Sequence, residues 1–427
     1  MDFLAAHQAV EAAVDFPYFL VLKVLWHSKK WLHLLYMMVN LKSLPEHPEK
    51  ALQKVGWNWM LGTDTAPYVT SDVVVVSEQE ATQYYQAATT LYDMLVEAGQ
   101  HAIDHVMFRE MGIPENLVEM IKLSWEDDRQ VHLYGRFDLA GGVSGDPVKF
   151  IEFNADTATC IPESAVVQWA HLRINNLDES QQFNTLYETL VAQFLYIKRA
   201  NTDLTPSILF STMKDNPEDD TNVSILREAA KEAGFDVDFA YIEDVEFSNG
   251  EGVFKQDPEN GSFIRFDFWF KLVPWEFIGN EEPELARILT EIVKNRKALI
   301  LNPAYTLLFQ SKYILKVLWD LYPYHPLLLQ TERYVIPHKK SVSKVLFGRE
   351  GANVSILERG GEVSETVDGE YEDQSKIYQE YVEFPTDSAG NSYQAGVFYA
   401  GEPCALGFRR GGKILDNTAQ FVGHLVE

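Results

Sequence analysis

YGRFDLAGGVSGDPVKFIEFNADTATCIPE, residues 134–163, reads as two short strands joined by a loop that contains Gly, Ser and Pro. Arg136 and Asp138 stand two residues apart on the first strand, Glu152 and Asn154 two apart on the second. Side chains alternate across a strand with period two, so each polar pair points to one face while Phe137 and Phe153 point to the other. Paired as a hairpin, the polar face gathers one cation, two carboxylates and one amide oxygen around a common point. Such a set suits Mg2+ held by oxygen and shared with a phosphate. A surface hairpin with solvated charges is the competing reading of the same pattern.

On either side of this stretch the chain mixes helices and strands. SEQEATQYYQAATTLYDMLVEAGQHAID has an acidic first turn and recurring apolar positions, which predicts a helix over 77–104; another is expected near Pro114. Beyond the hairpin, ESAVVQWAHLRINN and SQQFNTLYETLVAQFLYIKRA read as two further helices. Residues 206–213, 220–233 and 235–242 then alternate strand, helix and strand, the pattern of an α/β subdomain with a sheet. Glu218 and Asp219 fall just past the first of these strands, where ligands of α/β units often sit. They could receive an amine there, and helix capping explains the same acids.

FIRFDFWFK, residues 263–271, predicts one strand, 298–301 a short buried one, and 305–321 a single helix that carries Lys312 and Lys316. Residues 340–347 predict a strand with Lys344 in it, followed by the glycine-containing GREGANVSILERGG. Gly348 and Gly351 permit close backbone approach there and Arg349 adds a donor for phosphate, although a generic turn has the same look. SKIYQEYVEF is a strand whose Gln379 and Glu380 could meet an adenine amino group. Residues 392–399 and 402–408 form a terminal hairpin with Arg409 at its far end.

With 427 residues, 46% of them hydrophobic and 13% aromatic, the chain can bury a core spanning two or three subdomains. Its net charge of -27, from 63 acidic against 36 basic residues, argues against nucleic acid as the main partner. An anionic substrate therefore needs a locally basic cleft. Two cysteines, Cys160 and Cys404, make no disulfide framework and point to a reducing compartment, the cytoplasm. The apolar run FPYFLVLKVLW at 16–26 is interrupted by Lys23 and is too short for stable membrane insertion; residues 1–54 read as a helical extension, with a peripheral anchor as the alternative. Absent GxxxxGK and GxGxxG spacings set aside a Walker A loop and an NAD site, and the lack of a compact His/Cys cluster sets aside a zinc hydrolase.

The blocks RFD and EFNADTATC, the Lys312 helix, KVLFGREGANVSI and EPCALGFRR together resemble the synthetase domain of the glutathionylspermidine synthase family, in the shorter form that lacks an amidase domain. The resemblance implies an α+β, ATP-grasp fold over 55–427, with an α/β substrate-binding subdomain at 201–300 and a nucleotide-binding portion at 301–427. It implies ATP and Mg2+ as cofactors and amide formation through an acyl phosphate. Asp138, Glu152 and Asn154 would then ligate magnesium and Arg136 would face the transferred phosphoryl group. Lys312, Lys344, Gln379 and Glu380 would contact the nucleotide, while Arg349 and Arg409 would serve the reaction centre. Asp156, Thr157, Thr159 and Cys160 would line the site of a small peptide or amino-acid carboxylate such as glutathione. Glu218 and Asp219 would receive an amine such as spermidine; the family's pair of glutamates is Glu-Asp here, which shortens one arm. A nucleotide-binding regulatory or structural protein of the same fold, without turnover, is the reading from another class.

Overall fold

Phe137 and Phe153 anchor the hairpin as the alternation requires: their rings stack with centroids 4.1 Å apart, and both are buried. The two strands, Gly135–Ala140 and Lys149–Asn154, form one edge of a seven-stranded sheet in this computed structural model, which describes residues 38–63 and 67–427. Next to them come Ser392–Tyr399, Pro403–Gly411, Gln420–Val426, Val69–Val76 and Leu41–Ser43, in that order. All neighbours are antiparallel except Gln420–Val426 and Val69–Val76, which run parallel. The helix Glu78–Asp104 lies across this sheet. Ser77 and Glu80 close its first turn as a capping box, and Tyr84, Leu91 and Leu95 recur on its buried face. Gly142, at φ +83°, leaves room for Tyr84; a Cβ there would stand 2.4 Å from the ring.

The expected α/β subdomain is present. Leu299–Leu301, Phe268–Lys271, Ser207–Ser211 and Asp236–Phe239 form a four-stranded, all-parallel sheet in that order. A five-stranded antiparallel sheet holds Thr331–Glu332, Lys376–Glu380, Ser341–Val345, Val354–Leu357 and Val363–Val367.

Several boundaries differ from the sequence reading. The stretch 263–271 is two strands, not one. Phe263–Phe266 joins a three-stranded antiparallel sheet and Phe268–Lys271 the parallel one, with Asp267 between them accepting from the Thr205 amide at 2.8 Å. The helix expected over 305–321 is broken into Thr306–Gln310 and Ile314–Leu321, because the Lys312 amide is spent on the Leu346 carbonyl at 2.9 Å. The segment 301–427 is not one unit, since residues 392–426 complete the sheet that carries the RFD hairpin. Nor does folded structure begin at 55: Leu41–Ser43 pairs with Val69–Val76, and Leu52 of the helix Glu49–Val55 is buried with Met60. The apolar run at 16–26 lies outside the described residues. Among the described residues no helix is long and apolar enough to cross a membrane.

A buried ion pair joins the hairpin to the parallel sheet. Asp156 Oδ1 lies 2.9 Å from Lys271 Nζ, and neither side chain is exposed. Asp156 Oδ2 accepts from the Trp275 amide at 2.9 Å, and Lys271 also donates to the Val273 carbonyl. Burial pushes the Asp156 carboxyl up and the Lys271 ammonium down, and each is opposed by the other's charge. Replacing Asp156 by Asn keeps the shape and strands the lysine. Chemical denaturation should then show a loss of about 3–5 kcal/mol; an unchanged midpoint would show that the pair does not hold the two sheets together.

Candidate active site

The register of the hairpin sets Asp138 opposite Glu152 and Arg136 opposite Asn154. Arg136 grips Asp138 with two bonds, Nε to Oδ1 at 2.7 Å and Nη2 to Oδ2 at 3.1 Å, and donates a third to the Thr159 carbonyl at 2.9 Å. Asn154 donates its amide to Asp138 Oδ2 at 3.1 Å, which leaves its carbonyl oxygen for another partner. These side chains face a cavity of about 400 Å³ that lies where the three larger sheets meet.

Glu152 is the centre of the opposite charge balance. Lys312 Nζ stands 3.4 Å from its Oε2 and Lys344 Nζ 3.8 Å. Burial works against the Glu152 carboxylate, yet Lys312 and then Lys344 hold it below the ordinary range. Burial chiefly, with Lys312 adding, pushes Lys344 down to about 8 against the pull of Glu152. Lys312 also donates to the Gly348 carbonyl at 2.6 Å, so the lysine in the helix break holds the glycine loop as well.

Arg349, on that loop, is paired with Glu276 and stacks over Phe277 with its guanidinium carbon 5.1 Å from the ring centroid. Gly351 makes the loop's close approach possible. It sits at φ +72°, where a Cβ would stand 2.6 Å from the Leu415 carbonyl. Arg409 donates to the Asp416 carbonyl at 2.6 Å.

The far wall is acidic. Asn216 caps the helix Pro217–Glu232 by accepting from the amides of Glu218 and Asp219. The capping side chain is therefore Asn216, and both carboxylates face the cavity. Burial, then Glu218, Asp220 and Glu350, push Asp219 up to about 7; burial and Glu350 also raise Glu218 against Thr159 and Arg409. Cys160, at φ +71°, has its thiol pushed up to about 11 by burial and Glu163, so it stays protonated at neutral pH.

The cavity thus collects Arg136, Asp138, Glu152, Asn154, Thr157, Thr159, Cys160, Glu218, Asp219, Lys312, Lys344, Arg349, Gln379, Glu380 and Arg409. Asp156 is the exception. It is fully buried, both its oxygens are taken, and it is not on the wall. Gln379 lines the cavity with its side-chain oxygen accepting from Lys344 at 3.0 Å and its side-chain nitrogen donating to the Phe150 carbonyl at 3.2 Å. Glu380 is paired with Lys339 at 2.7 Å. Sequence reasoning missed Tyr68, Phe277 and Glu350 on the wall and Glu276 behind it. Only Glu350, beside Arg349, had a local signal.

Among the described residues no group of three or more His, Cys, Asp or Glu could hold a metal ion. Asp138, Glu152 and the Asn154 carbonyl still make an all-oxygen set on two facing strands, which fits Mg2+ provided a phosphate supplies further oxygens.

The family described as glutathionylspermidine synthase preATP-grasp matches residues 39–427. A protein of Haemophilus influenzae assigned as an acid–amine ligase is 28% identical over 412 residues, which cover 91% of this chain and 99% of that protein. The bifunctional glutathionylspermidine synthetase/amidase of Escherichia coli is 24% identical over 369 residues, 76% of this chain and 58% of its own length. The chain therefore spans little more than half of that relative. A glutathione synthetase-like effector of Globodera pallida has the same fold, with a TM-score of 0.52 at 10% identity over 90% of this chain and 100% of its own.

Replacing Asp138 by Asn halves the carboxylate content of the hairpin's polar face without changing its shape. Calorimetry should show Mg2+-dependent binding of ATP weakened by about tenfold or more, and binding that is insensitive to the change would remove Asp138 from the metal set.

Proposed function

The chain belongs to the glutathionylspermidine synthase preATP-grasp family, and from that premise we propose that it is an ATP-dependent ligase joining a carboxylate to an amine. The observation that carries the reading is one cavity lined by both signs of charge: Arg136, Lys312, Lys344, Arg349 and Arg409 together with Glu218, Asp219 and Glu350. A chain of net charge -27 has little reason to gather five cations in a cleft unless an anion binds there.

ATP phosphates suit the cations. Phosphoryl transfer asks for positive charge around developing anionic oxygens and little covalent help. Lys312 and Lys344 reach in from a helix break and a strand that belong to different layers, so they fix the phosphates from two directions. Mg2+, when bound by Asp138, Glu152 and Asn154, would neutralise phosphate charge and orient the γ-phosphoryl group. Arg136 is held flat by Asp138 and faces the same space. A carboxylate oxygen of the acid attacks the γ-phosphorus and ADP leaves. The amine nitrogen then attacks the carbonyl carbon of the acyl phosphate, and phosphate departs with the bonding electrons. Arg349, over the cavity on its glycine loop, shields that intermediate from water.

The acidic wall supports a cationic amine as the second substrate. Thr157, Thr159 and Cys160, on the same wall, offer small polar groups to a peptide acid. Glutathione and spermidine are the substrates the family's relatives suggest; another peptide acid or amine would use the same chemistry.

A mass-resolved screen of ATP-dependent amide formation, with pooled small peptide acids and amines, tests the reading directly. An acid- and amine-dependent amide together with ADP is expected; ATP binding without either product would leave a nucleotide-binding protein without turnover. Arg349→Ala should lower carboxylate-dependent ADP formation about 100-fold or more, and unchanged turnover would contradict the role given to the loop.

A further inference from the structure

Glu163 stands directly behind the cavity wall, and nothing in the scheme above uses it. Its carboxyl is fully buried at the start of the segment Glu163–Val167. Oε1 accepts from the Tyr68 hydroxyl at 2.6 Å, while Oε2 is buried with no hydrogen-bond partner outside its own residue. Tyr68 is itself on the wall, and its oxygen lies 3.8 Å from Cys160 Sγ.

The position of Tyr68 is fixed from the amine side. Its ring packs on Trp59, centroids 5.6 Å apart, and the Trp59 indole donates to Thr221 at 2.9 Å, on the helix that carries Glu218 and Asp219. It is also tied to the phosphate side: Arg136 donates to the carbonyl of Thr159, the residue before Cys160, and the Thr159 side chain bonds Glu218. Tyr68 thus sits on the cavity wall between contacts that lead to Glu218 and Asp219 and contacts that lead to Arg136.

A phenol has one proton and two lone pairs. With its proton on Glu163, Tyr68 can offer the cavity only an acceptor, and the reactant that arrives with a proton to lose is the amine. We propose that Tyr68 takes the proton of the attacking amine and that Glu163, acting through Tyr68, is the final acceptor; the proposal rests on the ligase reading. The attacking nitrogen reacts as the neutral amine, having given its ammonium proton to solvent beforehand; as the C–N bond forms and the bond from carbon to the phosphate oxygen breaks, its remaining surplus N–H proton passes to Tyr68 Oη. The phenol's own proton passes to Glu163 Oε1, and phosphate leaves with its electron pair. Tyr68 ends as a neutral phenol and Glu163 as a neutral acid, which the next turnover must release.

The electrostatic surroundings suit a carboxylate that works near neutrality. Burial, and next to it Glu218, push Glu163 up to about 7 against the hydrogen bond from Tyr68 and the charge of Arg136. Cys160, protonated, and Tyr68, whose phenol burial holds well above its ordinary value, complete the groups that face it; Arg409 acts on Cys160 and Glu218. Glu163 is therefore charged and able to accept above about pH 7, and loses that capacity below it.

The test compares wild type with Tyr68→Phe and Glu163→Gln, using ATP, pooled small peptide acids that include glutathione, and either pooled amines that include spermidine or hydroxylamine. Hydroxylamine traps the acyl phosphate as a hydroxamate and reports acid activation without the amine site. Both variants should lose about 100-fold in amide formation while acid-dependent hydroxamate formation stays near wild type. The wild-type rise in amide formation through about pH 7 should be smaller in Glu163→Gln, with the share that Asp219 contributes on the amine side retained. Amide formation that survives both changes, or hydroxamate formation that falls in parallel with it, would overturn the relay. A wild-type protein that yields neither product would overturn the ligase reading itself, and the relay with it.

Discussion

The contact between Asp156 and Lys271 is the constraint from which the rest of the architecture hangs. Two charges removed completely from water must face each other closely or one of them must neutralise. That requirement fixes the end of the EFN strand against the end of Phe268–Lys271, and through the Trp275 amide it fixes the helix Trp275–Glu281. Glu276 and Phe277, the next two residues, then hold Arg349. Asn302 adds a second tie, taking the Leu133 amide and donating to the Asp156 carbonyl, both at 2.8 Å. A pair that never touches the cavity thereby decides where one of its arginines points.

Inside the cavity the same physics runs with both signs. Among the cavity's cations, Arg136 has Asp138, Lys312 and Lys344 share Glu152, and Arg349 has Glu276. On the ligase reading proposed above, a phosphate would compete with Glu152 for the lysines, and a metal ion at that carboxylate would favour the exchange.

Much of the site was legible because strand alternation is a local rule. Arg136, Asp138, Glu152 and Asn154 could be put on one face from spacing alone, and the stacked phenylalanines on the other confirm why. Asp156 was misplaced for the complementary reason: an aspartate two residues beyond Asn154 looks like more of the same polar surface until Lys271, distant in sequence, is brought to it. The break at Lys312 was invisible because its cause, the Leu346 carbonyl, comes from another layer. Tyr68 and Glu276 were missed likewise, since each matters only through a partner that no local pattern announces. The split at Asp267 had a sign, an acid inside an apolar run, that alternation alone disguised.

The order of strands in the large sheet has a further consequence. The RFD strand pairs on one side with its own hairpin partner and on the other with Ser392–Tyr399, and Gln420–Val426 is inserted between Pro403–Gly411 and Val69–Val76. During synthesis the hairpin must wait, with one edge open, until those last strands have been made. Contacts of such long sequence separation form slowly and leave edges exposed to wrong partners. The edge of the RFD strand therefore stays open while more than two hundred further residues are made, and the cavity is incomplete until Ser392–Tyr399 and Pro403–Gly411 have docked.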